Sequence, residues 1–358
     1  MNILYLINFA GKAGTEKYVE NLIEAYNGKD SKCFFAYSIH GPLADKMKEK
    51  QIPSFQLKMR TPFDFVAAKK LAKYCKENEI DVICPQYPRE NAIALLAKWF
   101  YKDVKVVFTS HLTISCNIVW KMINKILTPK NHKVISVCTH GKKLLCENGF
   151  PEDKIEVIYN AIEADTEKKP STLREELGLT DEFVIFIMAR YNFSKGLPFL
   201  LDSIALLKKK TALPFRLVIA GDGEDKELIG EKIKELKLED AVTELGFRKD
   251  TENLLAGADI YVNTSSCLEA LSFAILEALA KGLPVVATTA GGNPDIVNEE
   301  TDLGIAVEYG DIEGFSNGIL KLMTDKEAYE RMSRNAIKAV EGKFSYKNML
   351  DKTFETYK

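Results

Sequence analysis

The chain has 358 residues, 46% of them hydrophobic and 28% charged, and its 49 Lys and Arg residues nearly balance its 51 Asp and Glu residues. This length predicts two domains, each large enough to bury a core of its own. The composition excludes a disordered or fibrous chain, and the net charge of −2 argues against a wholly basic nucleic-acid-binding protein.

The near-neutral total hides an uneven distribution of charge. Residues 1–165 carry 24 Lys and Arg against 18 Asp and Glu, whereas residues 166–358 carry 25 against 33. Opposite signs in the two parts suggest two different tasks.

The seven cysteines are scattered along the chain and include no Cys-x-x-Cys pair. This pattern predicts reduced thiols rather than disulfides or a zinc site. The opening apolar run has no basic residue before it, and no stretch approaches the ~18 uninterrupted apolar residues of a membrane span. We therefore expect a soluble cytoplasmic protein, which can still bind the inner face of a membrane.

Short β-branched and aromatic runs alternate with longer segments of helical period. Continuous apolar runs are typical of parallel sheets that are covered by helices on both faces, so the pattern predicts two doubly wound α/β domains. The predicted strands of the first part are 2–9, 33–38, 81–84, 104–110, 133–138 and 154–159, with helices over 14–26 and 64–78. Those of the second part are 183–189, 215–221, 241–247, 259–264 and 283–288.

The polar stretch 163–172 has no apolar periodicity and is typical of a linker. It divides the chain into a first domain, 1–165 together with a C-terminal helix at about 342–358, and a second domain, 166–341. Open parallel sheets bind ligands beyond the carboxyl ends of their strands. We therefore expect a site in a cleft between two facing domains.

The most informative segment is CLEALSFAILEALAKGLPVVATTAGGNPDIV, residues 267–297. Ser272 is a good N-cap for a helix that ends at Gly282, and the N–H groups at the start of that helix suit a phosphate. Glu269 precedes the helix and could accept hydrogen bonds from hydroxyls near the phosphate, whereas Glu277 could reach a vicinal diol such as a ribose. Taken without this context, both glutamates would be ordinary surface charges.

Two cations bracket the predicted loop between strand 183–189 and the next helix. Arg190 offers a planar fork for phosphate oxygens and Lys195 a mobile point charge, so the two together suit a diphosphate.

These spaced motifs resemble the retaining glycosyltransferases of family 4, whose fold is the two-domain GT-B type. The family signature is a Glu, seven residues, and a second Glu that opens an E-A-[LM]-A-x-G-x-P-V-V stretch followed by Gly-Gly; Glu269, Glu277 and the residues after them match it. The resemblance covers nearly the whole chain. It implies that Arg190 and Lys195 stabilise the departing diphosphate, that Glu269 holds sugar hydroxyls near the reacting carbon, and that Glu277 holds the ribose.

The resemblance implies further contacts with the nucleotide sugar. His111, after strand 104–110, would lie beside the donor sugar as a fourth catalytic residue, and the N-terminal loop with Gly14 and Gly11 would approach the donor. The remaining expected donor contacts are the backbone amides at Ala270, Leu271, Ser272 and Phe273, and the base-side residues Phe247 and Arg248. The family usually has E-G-F-G where this chain has Glu269-Ala270-Leu271-Ser272, so the identity of the sugar is the least transferable detail.

Neither an Asp-x-Asp pattern nor a set of residues with metal-ligand spacing is present in the sequence. We therefore expect no metal and no cofactor, with the diphosphate charge neutralised by Arg190, Lys195 and the helix start near Ser272. Nucleic acid is not an expected partner.

The segment 115–133 combines apolar residues, among them Ile118 and Met122, with Lys121, Lys125, Lys130 and Lys133 around one predicted helix. Two interpretations are open. The favoured one is an amphipathic helix packed on its own sheet with its lysines in solvent. The other is a helix that rests on an anionic membrane, which the positive balance of residues 1–165 supports.

Together these observations predict a retaining glycosyltransferase. It would move a sugar from a nucleotide-diphosphate sugar, UDP by family frequency, to a hydroxyl of a glycan or lipid-linked acceptor in polysaccharide, glycolipid or cell-surface glycan synthesis. A sugar-nucleotide epimerase or hydrolase on the same fold is one alternative, and an inactive nucleotide-sugar-binding module is another.

Overall fold

Two separate parallel β-sheets organise the chain. The structure is a computed structural model that describes residues 1–29, 31–162, 170–267 and 269–358. Contacts group Met1–Tyr159 with Met349–Lys358 as one compact unit and Asn160–Asn348 as a second. The predicted boundary after Asp165 and residues 163–169 of the predicted linker lie outside the described residues.

The first unit is built on a seven-stranded sheet of strand order β3-β2-β1-β4-β5-β6-β7, in which every pairing is parallel. Its strands are β1 (Asn2–Phe9), β2 (Lys32–Ile39), β3 (Ser54–Gln56), β4 (Val82–Pro85), β5 (Lys105–Ser110), β6 (Lys133–Ser136) and β7 (Ile155–Val157). Its helices are α1 (Gly14–Tyr26), α2 (Pro42–Glu49), α3 (Phe65–Glu77), α4 (Pro88–Ala97), α5 (Ile118–Leu127) and α6 (Thr139–Glu147).

The core of the first unit follows from its continuous apolar strands. Leu4 and Leu6 of β1, Ile83 of β4 and Val106 of β5 are fully buried, and α3 and α4 pack over them. Burial on both faces accounts for the absence of polar alternation in these strands. The order places the carboxyl ends of β1, β4 and β5 side by side.

The second unit repeats the scheme with a six-stranded sheet of order β10-β9-β8-β11-β12-β13, again parallel throughout. Its strands are β8 (Phe183–Met188), β9 (Phe215–Ala220), β10 (Val242–Gly246), β11 (Ile260–Asn263), β12 (Val285–Thr288) and β13 (Gly304–Val307). Its helices are α7 (Leu173–Glu176), α8 (Leu197–Lys210), α9 (Lys226–Glu235), α10 (Thr251–Gly257), α11 (Phe273–Ala280), α12 (Asn293–Ile296), α13 (Ile312–Thr324) and α14 (Lys326–Glu341). Strand order reverses between β8 and β11, which is where sheets of this type bind ligands.

The last helix, α15 (Tyr346–Glu355), contributes its larger part to the first unit. The Tyr26 hydroxyl donates to the carbonyl oxygen of Leu350 at 2.6 Å, and the Tyr26 ring meets those of Phe354 and Tyr357. These contacts join the C-terminal residues to α1.

The predicted fold class, two doubly wound α/β domains with parallel sheets, is confirmed. Two short edge strands, β3 and β13, were not predicted, because three or four residues are too few to show a strand pattern.

The favoured interpretation of segment 115–133 is wrong. None of the α5 residues is buried, and the apolar residues Ile118, Val119, Met122 and Ile126 are 60–71% exposed rather than packed on the sheet. The helix also ends at Leu127, so the two later lysines of the segment lie beyond it.

Candidate functional site

A lysine and a glutamate from two different loops form the centre of the candidate site in the second unit. Lys195 Nζ lies 2.6 Å from Glu269 Oε2, and the side chains are 31% and 13% exposed. Ser265 Oγ donates to the same Glu269 oxygen at 2.6 Å. Within the described part of the chain Glu269 Oε1 accepts no hydrogen bond, so it is available to a ligand hydroxyl.

Two glycines allow the backbone to bring this pair together. Gly196, directly after Lys195, has φ +61°, and a Cβ atom there would lie 2.1 Å from the carbonyl oxygen of Thr264. Gly291 has φ +55°, and a Cβ atom there would lie 1.8 Å from the carbonyl oxygen of Glu269. Since only glycine combines this conformation with so close an approach, both loops depend on it. The Gly-Gly loop thus holds the backbone of Glu269, and Gly292 N–H donates to the same carbonyl at 3.2 Å.

A buried hydrogen-bond network holds the loop after β11 in place. Asn293 Nδ2 donates to Asn263 Oδ1 at 3.1 Å, and the same oxygen accepts from the Ser265 N–H at 3.2 Å. Thr288 Oγ1 donates to the carbonyl oxygen of Ser265 at 2.6 Å, and Asn263 Nδ2 lies 3.4 Å from Ser272 Oγ. Asn293 Oδ1 has no hydrogen-bond partner among the described residues, but Asn263, Ser265 and Thr288 are bonded to one another or to Asn293, so the orientation of Ser265 towards Glu269 is set by several bonds at once.

Helix α11 begins directly beside Glu269. Ser272 is its N-cap, as predicted, and Ser272 Oγ accepts from the Ile275 N–H at 3.4 Å. The backbone N–H groups of Ala270, Leu271, Ser272 and Phe273 donate to no other described residue. Open amides at a helix start attract an anion or a polar oxygen. The structure therefore places a cation, a carboxylate and a row of donors in one loop region.

Glu277 is half-buried in the second turn of α11. Burial, reinforced by the negative charge of Glu252, raises the pKa of its carboxyl. Burial and then the charges of Glu277 and Glu269 raise the pKa of the Tyr261 phenol, so both glutamates lie near the same tyrosine of β11. Glu277 has no cation partner among the residues that the structure describes, and a partly desolvated carboxylate of this kind gains from accepting hydroxyl hydrogen bonds.

A cavity of about 430 Å³ opens at the carboxyl ends of β8 and β9. Its lining includes Arg190, Phe247, Arg248 and Thr251. The Arg190 guanidinium is exposed and contacts no carboxylate within the described residues. Phe247 is 70% exposed, so its ring face is open to a planar group.

Arg248 differs from Arg190 in its electrostatics. Its guanidinium donates to Glu176 at 2.6 and 3.2 Å and to Asp250 at 2.6 and 2.7 Å. Two carboxylates therefore neutralise it and fix its plane. Arg248 is a rigid part of the cavity wall, and Arg190 is the cation open to an anionic ligand.

His111 lies after β5 in the first unit, as predicted. His111 Nε2 is 2.8 Å from Gln86 Oε1, and Gln86 Nε2 donates to the carbonyl oxygen of Cys84 at 2.8 Å. The second bond fixes the amide orientation, so Nε2 of the neutral histidine carries the proton and Nδ1 is an acceptor. Burial lowers the pKa of His111 to about 3, and the ring of Tyr18 contacts it edge-on at 4.8 Å.

The glycine loop of the first unit follows β1. Gly14 opens α1, and a Cβ atom at Gly11 would lie 2.7 Å from the Phe9 ring and 3.4 Å from Glu16 Oε1. Glu16 is buried, and its Oε2 has no hydrogen-bond partner among the described residues.

Family models identify the chain. The model of the glycosyl transferases group 1 matches residues 170–339, and the model of Glycosyltransferase Family 4 matches residues 13–166. The chain is a family 4 glycosyltransferase.

Relatives and solved structures agree with this assignment. The glycosyltransferase is 27% identical over 299 residues to N-acetyl-alpha-D-glucosaminyl L-malate synthase of Bacillus anthracis, which covers 79% of this chain and 76% of the relative. It is also 27% identical over 313 residues to N-acetylgalactosamine-N,N'-diacetylbacillosaminyl-diphospho-undecaprenol 4-alpha-N-acetylgalactosaminyltransferase of Campylobacter jejuni, covering 84% of this chain and 82% of the relative. The structure of Anabaena HepE in complex with UDP has the same fold, with a TM-score of 0.86, 21% identity and 99% of both chains covered.

The structure brings some of the predicted site residues of this glycosyltransferase together, and it shows further residues that contact them. In the second unit it brings Lys195 to Glu269 and Arg190 to the cavity with Phe247 and Arg248. Sequence reasoning missed the buried or half-buried partners Ser265, Asn263, Asn293, Gln86 and Glu16. The sequence could have indicated them only by their positions, because four of them follow a strand or a glycine turn.

Two further observations concern metal and membrane. The described ranges contain no group of three His, Cys, Asp or Glu side chains placed to hold a metal ion, and metal independence stays a prediction. None of the helices in the same ranges has the length and hydropathy to cross a bilayer.

Proposed function

We propose that this glycosyltransferase transfers a sugar from a UDP-sugar to a hydroxyl of a glycan or lipid-linked acceptor, with retention of configuration. The observation that carries the proposal is the Lys195–Glu269 pair beside the open amides of residues 270–273. The relatives support the two substrates: HepE is described in complex with UDP, and the Campylobacter relative is named for a diphospho-undecaprenol acceptor.

The donor binds in the second unit. The Phe247 ring stacks on the base, and the carboxylate of Glu277 accepts from the ribose hydroxyls. Arg190 and the free protons of Lys195 hold the diphosphate, because an ammonium has three donors and Glu269 uses one. Glu269 Oε1 and the amides at the start of α11 bind the sugar hydroxyls.

The reaction exchanges one bond at the anomeric carbon. The bond to the diphosphate oxygen breaks with its electron pair on the diphosphate, and the acceptor oxygen bonds to the same face of the sugar. The acceptor proton passes to the leaving diphosphate oxygen. Arg190, Lys195 and the amides stabilise the negative charge that develops there, so no metal is required.

The acceptor binds on the side of residues 1–165, and donor binding belongs to residues 166–341. His111 Nδ1 accepts a hydrogen bond from a donor-sugar hydroxyl, and Gly11 and Gly14 allow the loop after β1 to approach the sugar. The exposed apolar residues of α5 and its neighbouring lysines contact the inner face of an anionic membrane. The enzyme then acts in the cytoplasm, at the membrane surface.

The experiment combines a binding panel with product analysis. Thermal unfolding with UDP, GDP and ADP should show the largest shift with UDP, because ligands of the native state raise the melting point. UDP-sugars are then incubated with octyl glycosides in EDTA, and product anomeric configuration is read by NMR.

A product with the donor's anomeric configuration at an undiminished rate in EDTA is the expected result. An inverted product would overturn retention, and loss of activity in EDTA would overturn metal independence. Isomerised or hydrolysed donor without transfer would identify an epimerase or hydrolase, and the absence of any nucleotide shift would identify an inactive module.

A further inference from the structure

A second cavity, of about 360 Å³, lies entirely within the first unit. Helices α4 and α5 and the loop after β5 form its wall, and its apolar lining includes Leu95, Phe108, Ile114, Trp120, Leu127 and Leu145. At roughly 30 Å³ for each water-sized group, this volume holds about a dozen methylene groups. An apolar cavity of this volume suits a flexible hydrocarbon chain.

Helix α5 presents one side to the cavity and an adjacent apolar side to solvent. Trp120 and Leu127 line the cavity, whereas their neighbours Val119 and Ile126 are 60% and 70% exposed. The Phe63 ring stacks on Trp120 with centroids 5.8 Å apart. The wall of the cavity and an exposed apolar surface therefore belong to the same helix.

The charges around the cavity favour an anion. Residues 104–146, which supply much of the cavity wall, contain seven lysines and neither Asp nor Glu, although none of these lysines lines the cavity itself. Arg89 lines the cavity, and although its terminal nitrogen donates to Glu90 Oε1 at 3.3 Å, its Nε has no partner among the described residues. Arg89 is thus paired with one carboxylate and keeps an unused donor at the wall of an apolar cavity, which matches a phosphate at the end of a hydrocarbon chain.

We propose that this cavity binds one hydrocarbon chain that ends in a phosphate, the lipid part of the acceptor, with Arg89 on the phosphate. The inference rests on the proposed lipid-linked acceptor and names the site that recognises its lipid. The cavity therefore selects acceptors by chain as well as by sugar.

The test measures lipid binding without donor or transfer. The chain has two tryptophans, so Trp99→Phe leaves Trp120 in the cavity wall as the single reporter. Butyl, octyl and dodecyl phosphates with brominated chains are titrated below their micelle concentrations, and quenching of Trp120 is followed. Each buried methylene corresponds to roughly fourfold in affinity, so dodecyl phosphate should bind at least tenfold more tightly than octyl phosphate. Farnesyl phosphate in the same titration distinguishes a prenyl from an alkyl chain.

Matched variants separate the cavity from the surface of α5. Ala92→Phe fills the cavity and should lower dodecyl phosphate affinity at least tenfold. Ile126→Ser changes the exposed side of α5 and should lower affinity less than Ala92→Phe does, whereas Val66→Ser changes an exposed residue of α3 that does not line the cavity and should leave affinity unchanged. Arg89→Leu should remove the preference for dodecyl phosphate over dodecanol. If Ala92→Phe fails to fold, as shown by the absence of a cooperative unfolding transition, Arg89→Leu tests the proposed lipid site instead.

Three results would overturn the proposal. Equal affinity for butyl and dodecyl phosphate would exclude burial of the chain. Binding that survives Ala92→Phe but is lost in Ile126→Ser would place the lipid on the outer face of α5. Self-association that excludes the lipid would make a second copy of the chain the occupant. Since UDP binding is measured separately, each result is distinguishable from a failure of the proposed transfer.

Discussion

Lys195 Nζ and Glu269 Oε2 lie 2.6 Å apart although 74 positions separate the two residues in the chain. The lysine belongs to the loop after β8 and the glutamate to the loop after β11, and these strands are neighbours in the sheet. The pair is partly buried, and its carboxylate also accepts from Ser265. The two side chains therefore position each other, and neither can be changed without moving the other.

Lys195→Met and Glu269→Gln should each lower turnover at least ~100-fold, the scale of lost electrostatic stabilisation in an active site. Because the two groups act as a unit, the double variant should be about as slow as either single one rather than ~10⁴-fold slower. Turnover of the single and double variants is measured as the initial rate of UDP release in a coupled assay.

The exposed pair Lys208–Asp240, with a separation of 2.5 Å, is the control. Lys208→Met should leave turnover unchanged and cost less than ~1 kcal/mol of stability, as solvent-exposed ion pairs do. A fully additive loss in the Lys195 and Glu269 double variant would show that they act independently.

Gly291→Ala should lower turnover by more than its loss of overall stability accounts for. The new Cβ atom would lie 1.8 Å from the carbonyl oxygen of Glu269, so the loop must shift and take Glu269 with it. Gly178 is the matched control, because it has φ +64° and a Cβ atom there would meet nothing within 4 Å. Gly178→Ala should cost about 1 kcal/mol from backbone conformation alone and keep wild-type turnover. Equal activities of the two variants would contradict the role of Gly291.

Glu277→Gln should weaken UDP binding about tenfold without destabilising the protein. Hydrogen bonds to a charged acceptor are worth roughly 1.5–3 kcal/mol, and the amide keeps part of that. Burial raises the pKa of this carboxyl, so removing its charge also removes a desolvation cost in the free protein.

Calorimetry with UDP and 2′-deoxy-UDP checks the assignment to the ribose. The wild type should bind the deoxy compound less tightly than UDP, and the variant should hardly distinguish the two. A variant that still discriminates as strongly as the wild type would assign the ribose contact to another residue.

The fold could be predicted from the sequence more completely than the candidate site. Apolar runs predict eleven of the thirteen strands in the described part of the chain: nine interior strands that are largely buried, and the edge strands β7 and β10. The other two edge strands, β3 and β13, have only three or four residues. The charged residues Lys195 and Glu269 stand out through motif spacing. Ser265 and Asn293 do not, because a buried hydrogen-bond network depends on where separate loops meet in space.

Helix α5 shows a different limit of sequence reasoning. Its amphipathic pattern is the same for a helix packed on a sheet and for one that exposes its apolar side. The exposure of Ile118 and Met122 becomes evident only from the burial of each residue in the folded chain.

The environment of His111 predicts that it stays neutral far below its ordinary pKa. Burial lowers that pKa to about 3, whereas the unfolded chain titrates near 6.5. Below pH 6.5 the unfolded state therefore binds a proton that the folded state does not, so stability falls as the pH falls towards 3 and is independent of His111 above about pH 7. At pH 5 the cost is at most about 2 kcal/mol.

Two measurements check this prediction. The imidazole ¹⁵N shifts should show His111 with a proton on Nε2 and unchanged from pH 8 to pH 5. Burial, with nearby lysines, also lowers the pKa of His132, so the stability effect is isolated by comparing urea unfolding of the wild type and His111→Asn at pH 7.5 and pH 5. The variant should lose less stability than the wild type between these pH values. A cationic His111 at pH 6 would contradict both the predicted tautomer and the acceptor role of Nδ1, because both ring nitrogens would then be donors.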